Sequence, residues 1–558
     1  MAGSLRLLWA SSTTEQVETD DGMWIISANR PAELAEVVAA ESDVAATVEA
    51  CEGDDAVAVR VGDDGRLDAY RSITATRNVY VVDVPDGPLV VTDNFRNAVA
   101  ELPVAERTVS TSAIVDHLLF RNQIEPNTYV TGVRALEHGT HFRRDAATGE
   151  QWTRLVERLA PETNITVDDA QAAIDDALRT VLDETVPDDG VTNMLSGGVD
   201  STLLQTYLGD VPALVMETDS PEFAFEIETA ETAAEMLDAS TRRVVVEEAD
   251  FLAELEASVD ALGFPSHYNQ TVLTDAAFRA SDGTVYLNGE GADALFGLRG
   301  VKGARIADFL GPLFSIPGAS TAWTRAFDTL SSRAANLPAI AARLDRPLAD
   351  PDSFAQRFSF FTDPGVVAQF TDARTVAERF RRQSEYVDER VERSSGCRFA
   401  DQVSFGQLLS AFRHNTVAQW RQLGHVHGHS LVAPFKTRRL TTCALSIPAE
   451  DRYIGRLGSF TSKHLLKSLL VDRLPAYPAR QPKGAGSLPV ERYFDDGPLA
   501  DVFERYEPPS FVPDSMREEH VEQFGPVTWN LVTFAVWRDR VLQNPNVSRV
   551  PGTTVVER

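Results

Sequence analysis

Ten residues constrain this 558-residue chain more than any others: Asn193-Met194-Leu195-Ser196-Gly197-Gly198-Val199-Asp200-Ser201-Thr202. An apolar run from Val191 to Leu195 stops at Ser-Gly-Gly, and a helical pattern of Thr202, Leu203, Leu204, Tyr207 and Leu208 follows at once. This reads as a strand, a tight glycine turn and a helix N-terminus. Glycines let backbone N–H groups approach an anion, and the start of a helix adds partial positive charge. Ser196, Ser201 and Thr202 add hydroxyls. Asp200 adds a carboxylate, which repels phosphate unless a cation lies between them. The loop therefore suits a pyrophosphate group carrying Mg²⁺. It lacks the Gly-Lys-Ser/Thr ending of the ordinary phosphate loop. A purely structural glycine turn is the competing reading.

A second segment narrows the choice. Val285-Tyr286-Leu287 is a short apolar strand followed by Asn288-Gly289-Glu290-Gly291-Ala292-Asp293-Ala294-Leu295-Phe296-Gly297. Gly289, Gly291 and Ala294 have dinucleotide-loop spacing, but two acids inside the loop oppose a bare pyrophosphate. With a metal present the acids fit: Asp293 can share Mg²⁺ with Asp200, and Glu290 can act as a base.

The S-G-G-x-D-S pattern resembles the pyrophosphate loop of the ATP pyrophosphatases, which cleave ATP between its α and β phosphates. Together with G-E-G-A-D before Leu-Phe-Gly, it resembles the asparagine synthetase family. Glu226 to Leu237 is similar to that family's helix after the second strand. Ala433-Pro434-Phe435 resembles its R-x-P-F-L-D segment, with Lys436-Thr437 in place of Leu-Asp. Ser462 to Lys467 resembles its K-x-x-L-R helix. Leu474-Pro475 followed by Arg480-Gln481-Pro482-Lys483-Gly484 resembles the segment carrying its catalytic lysine, and Trp529 to Trp537 its tryptophan-bearing C-terminal helix. The resemblance implies ATP and Mg²⁺ as cofactors. It also implies Glu290 and Lys483 as catalytic residues and Asp200 and Asp293 as metal ligands. The nucleotide would contact Met194, Ser196, Gly197, Gly198, Asp200, Ser201, Thr202, Met216, Asn288, Gly289 and Lys463.

Lysine usage adds an independent argument. Of 52 basic residues only Lys302, Lys436, Lys463, Lys467 and Lys483 are lysine, and the net charge is −31. Acids are spread throughout rather than gathered in a tail, and 43% of residues are hydrophobic, so a disordered acidic region does not explain them. An acidic, lysine-poor surface is the composition expected of a halophilic protein, whose carboxylates stay hydrated while salt screens their repulsion. Lysines that survive such depletion are candidates for work arginine cannot do. A point-charge ammonium suits pyrophosphate and a developing oxyanion. The bland alternative for Lys483 is a surface ion pair.

The length predicts two or three domains. Cys51, Cys397 and Cys443 are scattered and form neither a disulfide framework nor a zinc pattern. No apolar run long enough to span a membrane and no signal-peptide pattern is evident, which points to a cytoplasmic protein. Residues 1–158 carry short alternating segments at Ala56 to Val61, Asn78 to Val84, Leu89 to Thr92 and Thr140 to Phe142, and a helix at Thr111 to Leu119. A further strand is expected to end at Trp152. The resemblance makes this a layered α/β, Ntn-hydrolase-like domain of the class II glutamine amidotransferase type. That family's glutaminase uses a cysteine immediately after the initiator methionine. This chain reads Met1-Ala2-Gly3-Ser4, with no cysteine before Cys51 and no matching N-G-E segment. Ser4 is a poor substitute, because a hydroxyl needs its own base where a thiolate does not. The domain reads as a degenerate scaffold.

A linker around Pro161 and a helix from Val167 to Asp183 open the second domain, 165–545. Strands at Val191 to Leu195, Ala213 to Thr218, Arg243 to Glu247 and Thr284 to Asn288 alternate with helices, which argues for a parallel sheet with right-handed crossovers. The resemblance makes this an adenine-nucleotide α-hydrolase-like synthetase domain with a helical C-terminal part. Residues 300–400 read as a helical insertion. His425, His427 and His429 would share one face of a strand and could there bind a metal; a substrate-pocket role and plain packing are the alternatives.

The implied function is an ATP-dependent amide-forming ligase. Mg-ATP adenylates a small-molecule carboxylate, aspartate by default, and ammonia or an amine attacks. Ala294 stands where the family has Glu, and the R-x-P-F-L-D segment is altered. Both leave room for a β-lactam-synthetase-like or peptide-cyclising ligase. A non-catalytic ATP-binding scaffold is a third reading, opposed by the joint survival of Asp200, Glu290, Asp293, Lys463 and Lys483. No nucleic-acid or membrane partner is expected, and a homodimer is compatible with the resemblance.

Overall fold

A computed structural model describes residues 5–41, 55–145, 148–160, 164–265, 268–297, 361–392, 405–406, 408–409, 411–448, 451–452, 462–478 and 488–557. The N-terminal part holds β1 (Leu5–Trp9), β2 (Thr14–Thr19), β3 (Gly22–Ser27), β4 (Val57–Gly62), β5 (Arg66–Arg71), β6 (Tyr80–Asp83), β7 (Leu89–Thr92), β8 (Val133–Ala135), β9 (Thr140–Asp145) and β10 (Gln151–Leu155). Strands β10-β9-β5-β4-β3-β2 form an antiparallel sheet. The second sheet places β1, β7, β6 and β8 side by side, and the last strand of the chain, Thr554–Glu557, pairs antiparallel with β1 at its edge.

Period-two alternation explains the layering. Leu5, Leu7 and Trp9 of β1 meet Met23 and Ile25 of β3 and Val57, Val59 and Val61 of β4 in one buried cluster between the sheets. The opposite face of β3 and β4, with Trp24, Ile26 and Ala58, packs on Leu34 and Val38 of helix α1 (Pro31–Glu41). On the other side, Leu8, Tyr80, Val82 and Val90 pack on Phe95, Ala98 and Val99 of α2 (Phe95–Ala100). Strands whose both faces are covered cannot tolerate a one-residue slip, because every side chain would change layers. The result is a helix–sheet–sheet–helix stack, the layered α/β arrangement expected.

The second part is built on β11 (Val191–Met194), β12 (Ala213–Thr218), β13 (Thr241–Val246), β14 (Val285–Leu287) and β15 (Ser430–Val432), all parallel, in the order β13-β12-β11-β14-β15. Connecting helices include α3 (Val167–Thr185), α4 (Val199–Leu208), α5 (Ala224–Met236), α6 (Phe251–Leu262) and α7 (Gln270–Ala280). Met194, Leu214, Tyr286 and Leu431 face one cluster with α6, α7 and Trp529. Val191, Leu287 and Val432 face the opposite one with Leu178 of α3 and Leu203 of α4. β11 has β12 on one side and β14 on the other, so chain direction diverges there and a crevice opens beyond the strand ends.

Several expectations need adjustment. The strand expected to end at Trp152 runs Gln151–Leu155, paired antiparallel with β9. The helix after the glycine turn begins at Val199, ahead of Thr202 where its helical pattern becomes legible, because Gly198 is already its N-cap. The three histidines are not on a strand. His425 and Val426 end a helix (Ala411–Val426), His427 and Gly428 turn, and the strand starts only at Ser430. His427 pairs with Asp275 at 2.8 Å, while His429 Nε2 lies 2.9 Å from the Phe278 carbonyl, so they present no shared metal-binding face. The insertion over 300–400 lies mostly outside the described residues, but Ala373–Arg390 within it is helical. Among the described residues, no helix is long and apolar enough to cross a membrane.

Candidate active site

Three loops meet at the carboxyl ends of β11, β14 and β15. The first is the glycine turn. Gly197 has φ +69°, a left-handed conformation, and a Cβ there would fall 2.3 Å from the backbone of Thr229 in α5, so only glycine fits. Ser201 Oγ accepts from the Ser196 N–H at 3.1 Å and lies 3.0 Å from Ser196 Oγ, closing the turn on the helix start. Asn193 braces it from beneath, donating to the Ser201 carbonyl at 3.0 Å. Ser196 and Gly198 are exposed at the crevice, whereas Thr202 is fully buried, one turn into the helix. The hydroxyl of Thr202, expected to face the ligand, is therefore core.

The second loop follows β14. Asn288 donates to Met194 Sδ at 3.7 Å and accepts from the Glu290 N–H at 2.6 Å, fixing the turn. A Cβ on Gly289 would lie 2.9 Å from Asp200 Cβ, so this glycine lets the two loops touch. Asp293 sits in the first turn of α8, a short helix over Ala292–Phe296. Met194 and Met216 lie in the same apolar cluster flanking the loops.

The loops converge on one ammonium. Lys463 Nζ binds Asp200 Oδ2 and lies 3.1 Å from Asp293 Oδ1, with its side chain 8% exposed. Burial alone would lower its pKa, but the two carboxylates outweigh it and hold the group well above the ordinary lysine value. Lys463 itself has φ +58°, uncommon for a residue with a Cβ, and its N–H donates to the Phe296 carbonyl at 2.8 Å. The chain thus holds this lysine in a costly backbone conformation beside the acidic loop. Gly297 explains the Leu-Phe-Gly: a Cβ there would meet Asp293 Oδ1 at 2.5 Å and Lys463 Cε at 3.0 Å.

Two carboxylates that share one cation are hard oxygen donors suited to Mg²⁺, which takes one or two carboxylates plus phosphate and water. Among the described residues no group of three or more His, Cys, Asp and Glu is placed to hold a metal. The remaining ligands would come from nucleotide and water.

Residues 170–524, more than half of the chain, match the profile of the family described as Asparagine synthase. The chain belongs to the asparagine synthase family. No curated protein matches it. As a member of that family it is an ATP-using amide ligase of the asparagine synthetase type.

Sequence reasoning missed two parts of this asparagine synthase site. Tyr477 is buried and donates to the Gly197 carbonyl at 2.9 Å; burial, then Asp200, pushes its phenol up to about 12, so it remains a donor at neutral pH. Its only signal was position, just after Leu474-Pro475. Lys436, noted as a departure, is buried in the third loop, and a Cβ on Gly291 would lie 3.2 Å from its Cε. Lys483 lies outside the described residues, as do Ser4, Cys51 and Cys397.

Proposed function

We propose that this ligase adenylates a carboxylate with ATP, releases pyrophosphate, and passes the acyl group to ammonia or an amine. The observation that supports it most is the convergence of Asp200 and Asp293 on Lys463 beside the glycine turn. A carboxylate oxygen attacks the α-phosphorus, the α–β bridging bond breaks, and pyrophosphate leaves. The amine nitrogen then attacks the acyl carbon, the bond to the adenylate oxygen breaks, and AMP leaves with that electron pair. Ser196 and Gly198 line the phosphate end, and Lys463 donates to the pyrophosphate. Asp200 and Asp293 would hold Mg²⁺, which when bound neutralises phosphate charge. Glu290 takes the amine's proton, and Lys483 stabilises the acyl oxygen and α-phosphate charge.

Aspartate is the default substrate. Buried Ala294 in place of Glu and buried Lys436 beside Gly291 favour a second reading, a β-lactam-synthetase-like or cyclising ligase on another carboxylate. A non-catalytic scaffold accounts poorly for a strained, buried lysine between two acids. Lys483→Ala is expected to abolish amide formation while nucleotide affinity stays within about threefold, and Glu290→Ala to slow amide formation more than adenylation, each effect on the order of 10²-fold or more. Paired assays of amide product and pyrophosphate exchange separate the steps. Turnover retained in Lys483→Ala or Lys483→Arg would show that this lysine is a surface ion-pair partner.

Residues 1–158 are proposed as a glutaminase-like scaffold without glutaminase chemistry, joined to a synthetase unit over 165–545. Residues 1–50 contain no cysteine. Cys443 is not a substitute: burial, then Asp176, pushes its thiol up to about 11, leaving almost no thiolate at neutral pH. The protein should release no glutamate from glutamine while accepting ammonia or a substrate amine. Glutamate release dependent on residues 1–158 would overturn this. The proposed setting is a saline cytoplasm, with small molecules as the partners and a homodimer as a compatible assembly.

A further inference from the structure

The peptide between Gly197 and Gly198 is the one plane of the glycine turn that joins two glycines. Gly197 has φ +69°, and Gly198 has φ −70° and ψ 163°. Turning this plane over changes ψ of the first residue and φ of the second by about 180°. Gly198 would then take a positive φ, which glycine adopts at little cost. In a trans peptide the carbonyl and the N–H point opposite ways, so a flip exchanges them. A carbonyl oxygen would then face the place an N–H had faced, and it would repel a phosphate there.

Both ends of the plane are held in the structure. The Gly198 N–H donates to Ser196 Oγ at 3.3 Å, on the exposed side of the turn. That contact is long for a hydrogen bond. The Gly197 carbonyl accepts from the Tyr477 hydroxyl at 2.9 Å, on the buried side. The helix His464–Arg473 brings Tyr477 there. It has Lys463 as its N-cap and ends beside α4, where Arg473 donates to Thr206 Oγ1 and to the Thr206 carbonyl at 2.8 Å. The chain then turns, with the Tyr477 N–H donating to the Leu474 carbonyl at 3.0 Å, and reaches Gly197 just ahead of α4. Lys463 thus arrives on the acidic side of the turn and Tyr477 on its carbonyl side.

We propose that Tyr477 is a positioning residue for pyrophosphate: its hydroxyl fixes the Gly197–Gly198 peptide with the carbonyl turned into the protein and the N–H turned toward Ser196 and the crevice. This rests on the reading of the turn as a pyrophosphate loop. Tyr477 acts on the ligand only through the backbone. Without its hydroxyl, the Gly197 carbonyl is left buried and unpaired in the binding orientation, and a flip relieves that cost. Affinity then falls with the fraction of molecules that keep the binding orientation.

The test is calorimetric titration of the full-length protein in high salt and Mg²⁺, with pyrophosphate and separately with adenosine. Tyr477→Phe keeps the ring and should bind pyrophosphate about tenfold more weakly. Adenosine, which carries no phosphate, should bind parent and variant alike. In pyrophosphate exchange, KM for pyrophosphate should rise by the same factor while kcat stays within about twofold, the mark of lost uniform binding. A role in packing alone would lower the number of active sites and leave that affinity ratio unchanged. Tyr477→Met, which also lacks the hydroxyl, carries the test if Tyr477→Phe does not fold. Unaltered pyrophosphate affinity in the variant, or equal weakening of pyrophosphate and adenosine, would overturn the proposal. A parent protein that binds adenosine but no pyrophosphate would overturn the reading of the turn itself, and the proposal with it.

Discussion

Asp293→Asn is expected to lower ATP–pyrophosphate exchange by about 10³-fold or more with any carboxylate. The substitution keeps the side chain's size and removes its charge. Asp200 and Asp293 converge on one cation, so the variant removes half of the negative charge that the site directs at it. A charge pair at about 4 Å contributes roughly 4 kcal/mol at an effective dielectric of 20. At about 1.4 kcal/mol per factor of ten, that is three decades in rate. The fold should survive, because the Lys463 pairing with Asp200 remains. Exchange within tenfold of the parent protein would remove Asp293 from the metal site.

Lys463→Met should be nearly as damaging, and for two separable reasons. The ammonium lies between two carboxylates whose side chains are only 19% and 22% exposed. Replacing it with an apolar chain of similar length leaves two like charges facing each other in a partly buried site. Breaking a buried pair by removing one partner costs about 3–5 kcal/mol of stability. The thermal midpoint should therefore fall, and one of the two carboxyls should titrate higher than in the parent protein. Exchange should fall by at least about 10²-fold, through loss of a pyrophosphate donor. Lys463→Arg should not rescue it, because a planar, forked guanidinium does not reproduce a point-charge ammonium shared between the Asp200 and Asp293 carboxylates. Recovery of exchange in Lys463→Arg would show that charge alone suffices.

Much of the parallel sheet could be read from the sequence, because its strands are apolar runs bounded by glycine turns and its helices are amphipathic. The strand Ala213–Thr218 was legible to the residue. β15 was not: three residues long, it follows a histidine-rich turn that mimics strand alternation. The edge strand Thr554–Glu557 was equally hidden, since its partner β1 lies at the far end of the chain and pairing at that separation leaves no local pattern. At the site, the glycine turn and acidic loop were legible because their backbone demands force residue type. The roles of Gly297 and Tyr477 were not, because Gly297 leaves room for Lys463 and Tyr477 donates to Gly197, partners far away in sequence. Thr202 misled, since a hydroxyl beside a phosphate loop looks alike whether it faces solvent or core.

The most direct test of the account is ATP–pyrophosphate exchange by the full-length protein in high salt, screened across aspartate and other carboxylates, with and without Mg²⁺. The account predicts exchange that requires both Mg²⁺ and one class of carboxylate, and that disappears in Asp293→Asn. A protein that binds ATP yet exchanges no pyrophosphate with any carboxylate, or that releases orthophosphate in place of pyrophosphate, would contradict it.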